Sequence, residues 1–220
     1  MIEHSKDGDM HIVTLNTDEN AICMDWQTRM LEILEAIEGD CGKGSSLVMA
    51  GEGKFFSNGL NLPVLTQMPQ EKWSEFGARM ADIHSRMLLL PCPTVAAVNG
   101  HAFAGGAFLA LSLDYRIMRE DRGWISISEV DAGVPLPDPM MGILRGKVPP
   151  ATARDAILTG KRYTADEALA AGLVDGKASE SELLDVAKGL AMQLATKEPE
   201  IFKTIKQTYF GDMAAVIRAQ

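Results

Sequence analysis

Apolar positions in the first part of the chain alternate between strand and helix spacing. Residues 11–15 (HIVTL) follow an Asp-Gly turn and predict a short strand. Apolar residues repeat at helical spacing over residues 25–38, which predicts an amphipathic helix that Gly39 ends. Residues 46–50 (SLVMA) then indicate a buried strand, and a longer apolar stripe predicts a second helix over residues 73–90.

The same alternation continues through the middle of the chain. Residues 93–100 (PTVAAVNG) predict a strand and a turn, and residues 105–113 (GGAFLALSL) predict a very apolar helix. The segments DYRIM and WISIS, on either side of a turn at residues 121–123, predict two more short strands. Apolar strands that alternate with helices indicate an α/β core whose sheets are covered by helices.

From about Pro149 the pattern is helical to the end. Two Ser/Thr-x-x-Glu capping boxes predict helix starts at Thr164 and Ser179. Gly172 is placed to end the first of these helices, and Pro199 suits the first turn of a further one. The C-terminal part of the chain is therefore expected to be a set of helices.

The composition is that of one globular domain. Of the 220 residues, 46% are hydrophobic and 23% are charged, which are ordinary proportions for a folded chain. No linker or repeat divides the sequence. We expect one continuous domain, with an α/β core over residues 1–148 and a helical region over residues 149–220.

Charge and hydropathy limit the possible partners. The net charge of −9 argues against nucleic acid, which would require a clustered basic face. No apolar run approaches the roughly 20 residues that span a bilayer, so no membrane partner is expected. The sequence begins without a signal-peptide pattern and ends without an organelle address, which predicts a cytoplasmic enzyme.

Cysteines and histidines give no sign of a metal centre. Cys23, Cys41 and Cys92 form no close pair in the sequence, and their apolar surroundings favour reduced, buried thiols. The four histidines show no metal-ligand spacing. We expect His84 on a helix surface and His101 in a structural role.

Two glycine-rich loops are the first candidates for chemistry. The first glycine loop (residues 55–62, FFSNGLNL) follows a buried strand, and the second (residues 99–107, NGHAFAGGA) leads from a strand into an apolar helix. Glycine permits close backbone approach, so one N–H from each loop could converge on an oxygen that becomes negative. Packing glycines at strand–helix junctions are the alternative interpretation. Neither loop fits the dinucleotide-binding or P-loop spacing.

Glu129 is the candidate general base. It ends an apolar strand segment and precedes a Gly/Pro turn, where partial desolvation would raise its pKa. A surface carboxylate at a strand end is the alternative, and Asp131 is the neighbouring rival.

Four segments in order resemble the enoyl-CoA hydratase/isomerase (crotonase) superfamily. They are FFSNGLNL, AVNGHAFAGGAFLALSLDYRI, SEVDAGVPLP and LTGKRYTADEALAAGLVD. The resemblance implies a superhelix of ββα units, with C-terminal helices that shape the CoA pocket and assemble trimers or dimers of trimers. It implies an acyl-CoA thioester as the ligand, and no cofactor beyond the coenzyme A that the substrate carries.

The resemblance also assigns roles to residues. The oxyanion-hole N–H groups are those of Leu60 and Gly105, and Lys206 matches a helical lysine that meets a CoA phosphate. The implied substrate-binding set comprises Ser57, Asn58, Gly59, Leu60, Gly105, Gly106, Phe108 and Lys206.

The reaction follows from the acids and bases that the resemblance places in the pocket. A hydratase of this family uses two glutamates, and here Phe108 occupies the first position while Glu129 occupies the second. One carboxylate beside an apolar wall suits moving a proton within the substrate. The residues in these motifs resemble those of the Δ3,Δ2-enoyl-CoA isomerase branch, although Asn61 replaces the usual aspartate. The alternatives are an enoyl-CoA hydratase and a non-catalytic acyl-CoA-binding homologue.

Overall fold

The computed structural model describes residues 2–219 and contains two sheets. The larger sheet has the order β1-β2-β3-β5-β7-β9, in which only the β1–β2 pair is antiparallel. The smaller sheet has the parallel order β4-β6-β8. The strands are β1 Ile2–Asp7, β2 Met10–Leu15, β3 Ser46–Gly51, β4 Phe55–Ser57, β5 Thr94–Val98, β6 His101–Phe103, β7 Tyr115–Arg119, β8 Ile125–Ser126 and β9 Gly176–Ala178.

Helices follow each pair of strands and make up most of the C-terminal region. They are α1 Met24–Asp40, α2 Leu62–Leu65, α3 Glu71–Leu89, α4 Gly105–Leu111, α5 Glu129–Ala132, α6 Asp138–Lys147, α7 Pro150–Thr159, α8 Ala165–Ala171, α9 Leu183–Leu194 and α10 Pro199–Arg218. A 3-10 turn at Asp18–Asn20 precedes α1.

A repeated ββα unit generates this arrangement. One strand enters the larger sheet, the next enters the smaller sheet, and a helix returns the chain, as in β3–β4–α3 and β5–β6–α4. All five residues of β5 are buried, because α1, α3 and α4 cover one face of the larger sheet and α9 covers the other. The predicted α/β superhelix of ββα units, with a helical C-terminal region, is confirmed.

The C-terminal region shows both successes and failures of the sequence pattern. The capping box at Thr164 is present, Gly172 ends α8 in a left-handed conformation, and Pro199 begins α10. The helix start predicted at Ser179 is wrong, because α9 begins at Leu183 after a turn. The Ser179 hydroxyl instead donates to the Glu182 carboxylate at 2.6 Å.

Two further features depart from the expected pattern. The region is not wholly helical, because β9 adds an edge strand beside β7. Residues 127–128 leave the strand geometry of β8, so Glu129 begins the one-turn helix α5 instead of ending a strand. Among residues 2–219 no helix combines the length and hydropathy needed to cross a bilayer.

Candidate active site

The three strands of the smaller sheet bring the candidate residues to one edge. Because β4, β6 and β8 are parallel, their carboxyl ends lie side by side, where ligands commonly bind in open α/β sheets. The first glycine loop begins with β4 and the second contains β6. Glu129 follows β8 by three residues. The Ala104 N–H donates to the carbonyl of Ser126 at 3.0 Å, which ties the end of β8 to the residue before Gly105.

The two glycine loops touch each other at Gly59 and Gly105. A Cβ atom placed on Gly59 would lie 2.8 Å from the Phe103 carbonyl oxygen and 3.0 Å from the Gly105 nitrogen. Gly59 also has φ +80°, a conformation that other residues adopt at a cost. Glycine is therefore required at position 59 for the loops to approach this closely.

Backbone pairing leaves the N–H of Leu60 free. Ile22 donates to the Gly59 carbonyl at 2.7 Å, and Asn61 donates to the Ile22 carbonyl at 2.8 Å. In this parallel bridge the Leu60 N–H points to the opposite side, and none of the described residues accepts it. Leu60 is half-buried, so its N–H is available to an acceptor from outside the chain.

Gly105 supplies the second donor. It is the first residue of α4, so its N–H has no carbonyl four residues back to bond within the helix. Ala104 before it has φ 49° and ψ −121°, a strained conformation for a residue with a Cβ atom, and strain of this kind is concentrated at functional sites. Leu60 and Gly105 thus present two backbone N–H groups on adjoining loops, and their role as an oxyanion hole stays a prediction.

A turn that the sequence pattern did not single out supports the first glycine loop. Glu19 and Asn20 both have left-handed φ angles, 53° and 51°. Asn20 is fully buried, and its side-chain amide donates to the carbonyls of Glu52 and Phe55. The Asn58 N–H donates to the Glu19 carbonyl at 3.0 Å. The Thr-x-x-Asn spacing at residues 17–20 could have predicted this turn, because these two residues form its side-chain cap.

Ser57 and Gly106 lie where the two glycine loops pack against each other. The Ser57 hydroxyl donates to the Asn20 carbonyl at 2.7 Å and accepts the Gly59 N–H at 3.2 Å. A Cβ atom on Gly106 would lie 2.2 Å from the Ser57 carbonyl oxygen. The Ser57 side chain is fully buried and its hydroxyl is used within the protein, so the predicted substrate-binding role of Ser57 does not extend to this hydroxyl.

Glu129 has the environment of a general base. Burial raises the pKa of its carboxyl group above the usual value, because the charged form is desolvated. Its Oε2 atom is buried and has no hydrogen-bond partner among the described residues. Asp131, the rival carboxylate, is exposed and lies against Gly160. The structure therefore favours Glu129 as the proton acceptor.

Helix α4 contributes an apolar wall. Phe108 is fully buried one turn after Gly105, and all seven residues of α4 are glycine or apolar. The helix consequently offers no second carboxylate to the site.

The structure does not support Lys206 as a phosphate ligand. Its side chain is buried, and the ammonium group donates to the Asp114 carboxylate at 2.9 Å and to the Cys92 carbonyl at 3.4 Å. A cation that is desolvated and paired inside the protein is not presented to a phosphate in solvent.

The histidines have packing roles. His101 is stacked on Phe103 and packs against Trp124 in a tilted arrangement, with ring centroids 5.0 and 4.9 Å away, and its structural role stays a prediction. The surface position predicted for His84 is wrong. His84 is fully buried against Ser112, and burial lowers its pKa to about 4.

Known proteins resemble this chain along almost its whole length. Residues 6–219 match the family model described as Enoyl-CoA hydratase/isomerase. Enoyl-CoA delta isomerase 3 of Arabidopsis thaliana is 35% identical, covering 96% of this chain and 93% of its own. The peroxisomal enoyl-CoA delta isomerase 2 of the same plant is also 35% identical with the same coverage. A putative enoyl-CoA hydratase of Thermus thermophilus is 34% identical over 91% of this chain and 80% of its own.

Solved structures share the fold. An enoyl-CoA hydratase/isomerase family protein of Pseudomonas syringae superposes with a TM-score of 0.92 at 27% identity, covering 99% of this chain and 94% of its own. The human mitochondrial delta3-delta2-enoyl-CoA isomerase superposes with a TM-score of 0.93 at 22% identity, covering 100% of this chain and 86% of its own. The latter likeness shows the common fold.

Proposed function

We infer, because the chain belongs to the enoyl-CoA hydratase/isomerase family, that it is an enoyl-CoA isomerase. We propose that it converts a 3-enoyl-CoA into the 2-enoyl-CoA. Support comes from the 35% identity to two enoyl-CoA delta isomerases. The observation that carries the proposal is a single desolvated carboxylate, Glu129, beside an all-apolar helix α4.

The first step of the proposed mechanism is polarisation of the thioester. The thioester oxygen accepts hydrogen bonds from the N–H groups of Leu60 and Gly105, which are free for this purpose. These donors stabilise the negative charge that develops on the oxygen, and each is worth about 3 kcal/mol in sites of this kind. The hydrogen atoms on carbon 2 become more acidic as a result.

Glu129 then moves the proton. Its carboxylate removes a proton from carbon 2 and forms a dienolate, whose charge is spread between the thioester oxygen and carbon 4. The protonated Glu129 returns the same proton to carbon 4, which leaves the double bond between carbons 2 and 3. No atom is gained or lost, and the raised pKa of Glu129 suits both directions of transfer.

Hydration is the second candidate, favoured by the putative hydratase at 34% identity. Addition of water to a 2-enoyl-CoA needs a group that positions and activates the water. The fully buried Phe108 cannot provide one, and Glu129 alone would have to serve both the water and carbon 2.

Product analysis distinguishes the candidates. The protein is incubated separately with a 3-enoyl-CoA and a 2-enoyl-CoA, and the products are identified by mass spectrometry and chromatography. Isomerisation predicts 2-enoyl-CoA from the first substrate and very little 3-hydroxyacyl-CoA from the second. Efficient hydration would favour the second candidate, and binding without turnover of either substrate would indicate a non-catalytic homologue.

We also propose that the chain forms a homo-oligomer, a trimer or a dimer of trimers. Ile201, Ile205 and Tyr209 lie on one face of α10 and are 60, 62 and 72% exposed. An apolar row of this kind suits a subunit contact. Sedimentation should show an oligomer that Ile205→Glu weakens, whereas a monomeric wild-type protein would refute this proposal.

The cytoplasmic location stays a prediction.

A further inference from the structure

The direction of the Leu60 N–H is set by the peptide unit to which it belongs. This unit also contains the Gly59 carbonyl, and the two groups point in opposite directions because the peptide bond is planar and trans. The Gly59 carbonyl accepts the Ile22 N–H at 2.7 Å. The Leu60 N–H is therefore aimed away from Ile22, and whatever holds the Gly59 carbonyl in place also aims this donor.

The preceding peptide unit is held by the Ser57 hydroxyl. This hydroxyl accepts the Gly59 N–H at 3.2 Å and donates to the Asn20 carbonyl at 2.7 Å. The Ser57 side chain is fully buried, so both bonds are made away from solvent, where hydrogen bonds are strongest. The hydroxyl therefore connects the turn at residues 17–20 to the amide that directly precedes Leu60.

Two successive carbonyls of this turn point at the first glycine loop. The Glu19 carbonyl accepts the Asn58 N–H at 3.0 Å, and the Asn20 carbonyl accepts the Ser57 hydroxyl. Glu19 and Asn20 reach this geometry with left-handed φ angles, which residues other than glycine adopt at a cost. Such a conformation persists only where the surrounding structure holds it.

The Asn20 side chain holds the turn in this conformation. Its amide group donates to the carbonyls of Phe55 at 2.8 Å and Glu52 at 3.2 Å. Its Oδ1 atom accepts the Thr17 N–H at 2.9 Å. Because Asn20 is fully buried, it has no surface to offer a substrate. Any effect of Asn20 on chemistry has to pass through Ser57 and the first glycine loop.

We propose that Asn20 is a positioning residue, which acts through the Ser57 hydroxyl on the direction of the Leu60 N–H. This role rests on the proposed isomerase reaction, in which the thioester oxygen accepts that N–H. Loss of the Asn20 amide or of the Ser57 hydroxyl lets the Gly59–Leu60 peptide unit rotate. A rotated N–H stabilises the developing negative charge less well, so the loss appears in kcat and not in acyl-CoA binding.

Kinetics with a 3-enoyl-CoA provide the first test. Ser57→Ala should lower kcat about a hundredfold, the usual effect of a small misplacement, while the dissociation constant of a saturated acyl-CoA stays near the wild-type value. Asn20→Gly permits the left-handed φ angle and removes the amide, so it should give a loss of the same kind. Ser57→Ala removes a single buried oxygen and carries the test if Asn20→Gly does not fold.

The double variant tests whether the two residues act in one chain of contacts. If Asn20 acts through Ser57, the double variant should lose little more kcat than the larger single loss, because the two effects are not independent. Two losses in kcat that multiply would overturn the proposal. So would an unchanged kcat in Ser57→Ala.

The infrared band of the thioester carbonyl provides a second test that needs no turnover. A saturated acyl-CoA with carbon-13 at the carbonyl cannot isomerise, and a hydrogen bond to its oxygen lowers the stretching frequency. The bound band should lie below that of the free ligand in the wild-type protein, and Ser57→Ala should move it back toward the free value. A lowered band without turnover would refute the isomerase reaction and leave the positioning role standing. Turnover with the same band in both proteins would do the reverse.

Ser85→Ala is the matched control. Ser85 is fully buried, and its hydroxyl likewise donates once, to the Asp82 carbonyl at 2.9 Å, and accepts once, from the Arg218 Nε at 2.7 Å. These partners lie in α3 and α10, outside the glycine loops. Ser85→Ala should therefore lower stability but leave kcat and the carbonyl band unchanged. An equal loss of kcat in Ser85→Ala would show that Ser57 acts through stability alone.

Discussion

In the proposed mechanism Glu129 carries the proton, and the environment of its carboxyl group leads to a prediction about pH dependence. Because burial raises its pKa, the folded state binds this proton more tightly than the unfolded state does. The carboxylate required for catalysis is therefore lost at a higher pH than for an exposed glutamate. We expect kcat/KM to fall as the pH drops through this raised pKa, which a pH–rate profile with a 3-enoyl-CoA measures.

The same shift has a consequence for stability. Above the raised pKa the folded protein holds a desolvated carboxylate whose Oε2 atom has no hydrogen-bond partner among the described residues, so Glu129 lowers stability there and has no such effect in acid. Glu129→Gln should therefore raise the melting temperature at pH 8, and the difference should shrink toward pH 4. A melting temperature that is lower than wild type at pH 8 would show that the carboxylate is stabilised by a contact in the folded state.

At the scale of elements, the contact between the two glycine loops positions both N–H donors. A Cβ atom on Gly59 would meet the Phe103 carbonyl and the Gly105 nitrogen, and φ +80° adds strain. Gly59→Ala should therefore separate the loops and lower kcat/KM about a hundredfold or more, the usual effect of losing one oxyanion donor. Steady-state kinetics at saturating and limiting substrate measure this loss.

Gly189→Ala is the control for that substitution. Gly189 lies within α9, is exposed, and has open space where a Cβ atom would stand. Alanine there should leave kcat/KM unchanged and raise stability by up to about 1 kcal/mol, because alanine favours helices. Full activity in Gly59→Ala would show that the loop contact is not needed for catalysis.

The elements differ in how far the sequence predicts them. Apolar periodicity placed α1, α3 and the strands β2, β3, β5 and β7 of the larger sheet, because their side chains pack in the core. It did not predict β9, a three-residue edge strand that depends on pairing with β7. The turn at Glu19 and Asn20 was also missed, since left-handed angles in residues other than glycine leave little trace in the sequence.

At the scale of the whole molecule, contacts between distant residues account for the remaining errors. Lys206 pairs with Asp114 across 92 positions of the sequence. A sequence pattern reports which side chains are apolar or charged, and not which distant ones meet. Lys206, which resembles a phosphate ligand in sequence, therefore forms a buried ion pair in the structure.

The buried ion pair makes a prediction about stability and binding. In Lys206→Met the carboxylate of Asp114 would keep, among residues 2–219, one hydrogen bond, from the Thr94 N–H at 2.9 Å. Breaking a buried pair commonly costs about 3–5 kcal/mol, so we expect a loss of that size in urea unfolding. Acyl-CoA affinity under native conditions should be unchanged.

Lys203→Met on the same helix is the control, because 40% of the Lys203 side chain is exposed and its contact with Glu200 is long at 3.7 Å. We expect it to change stability by less than about 0.5 kcal/mol. Weaker acyl-CoA binding by Lys206→Met, with no loss of stability, would restore the phosphate role to Lys206.

The central claim is that Glu129 carries the proton between two carbons of the substrate. Its most direct test is kcat for conversion of a 3-enoyl-CoA to the 2-enoyl-CoA by Glu129→Gln, with Asp131→Asn as the matched variant. Loss of the only desolvated carboxylate described at the site should lower kcat about a thousandfold, while acyl-CoA binding and the activity of Asp131→Asn persist. Wild-type kcat in Glu129→Gln, or an equal loss in Asp131→Asn, would contradict the account.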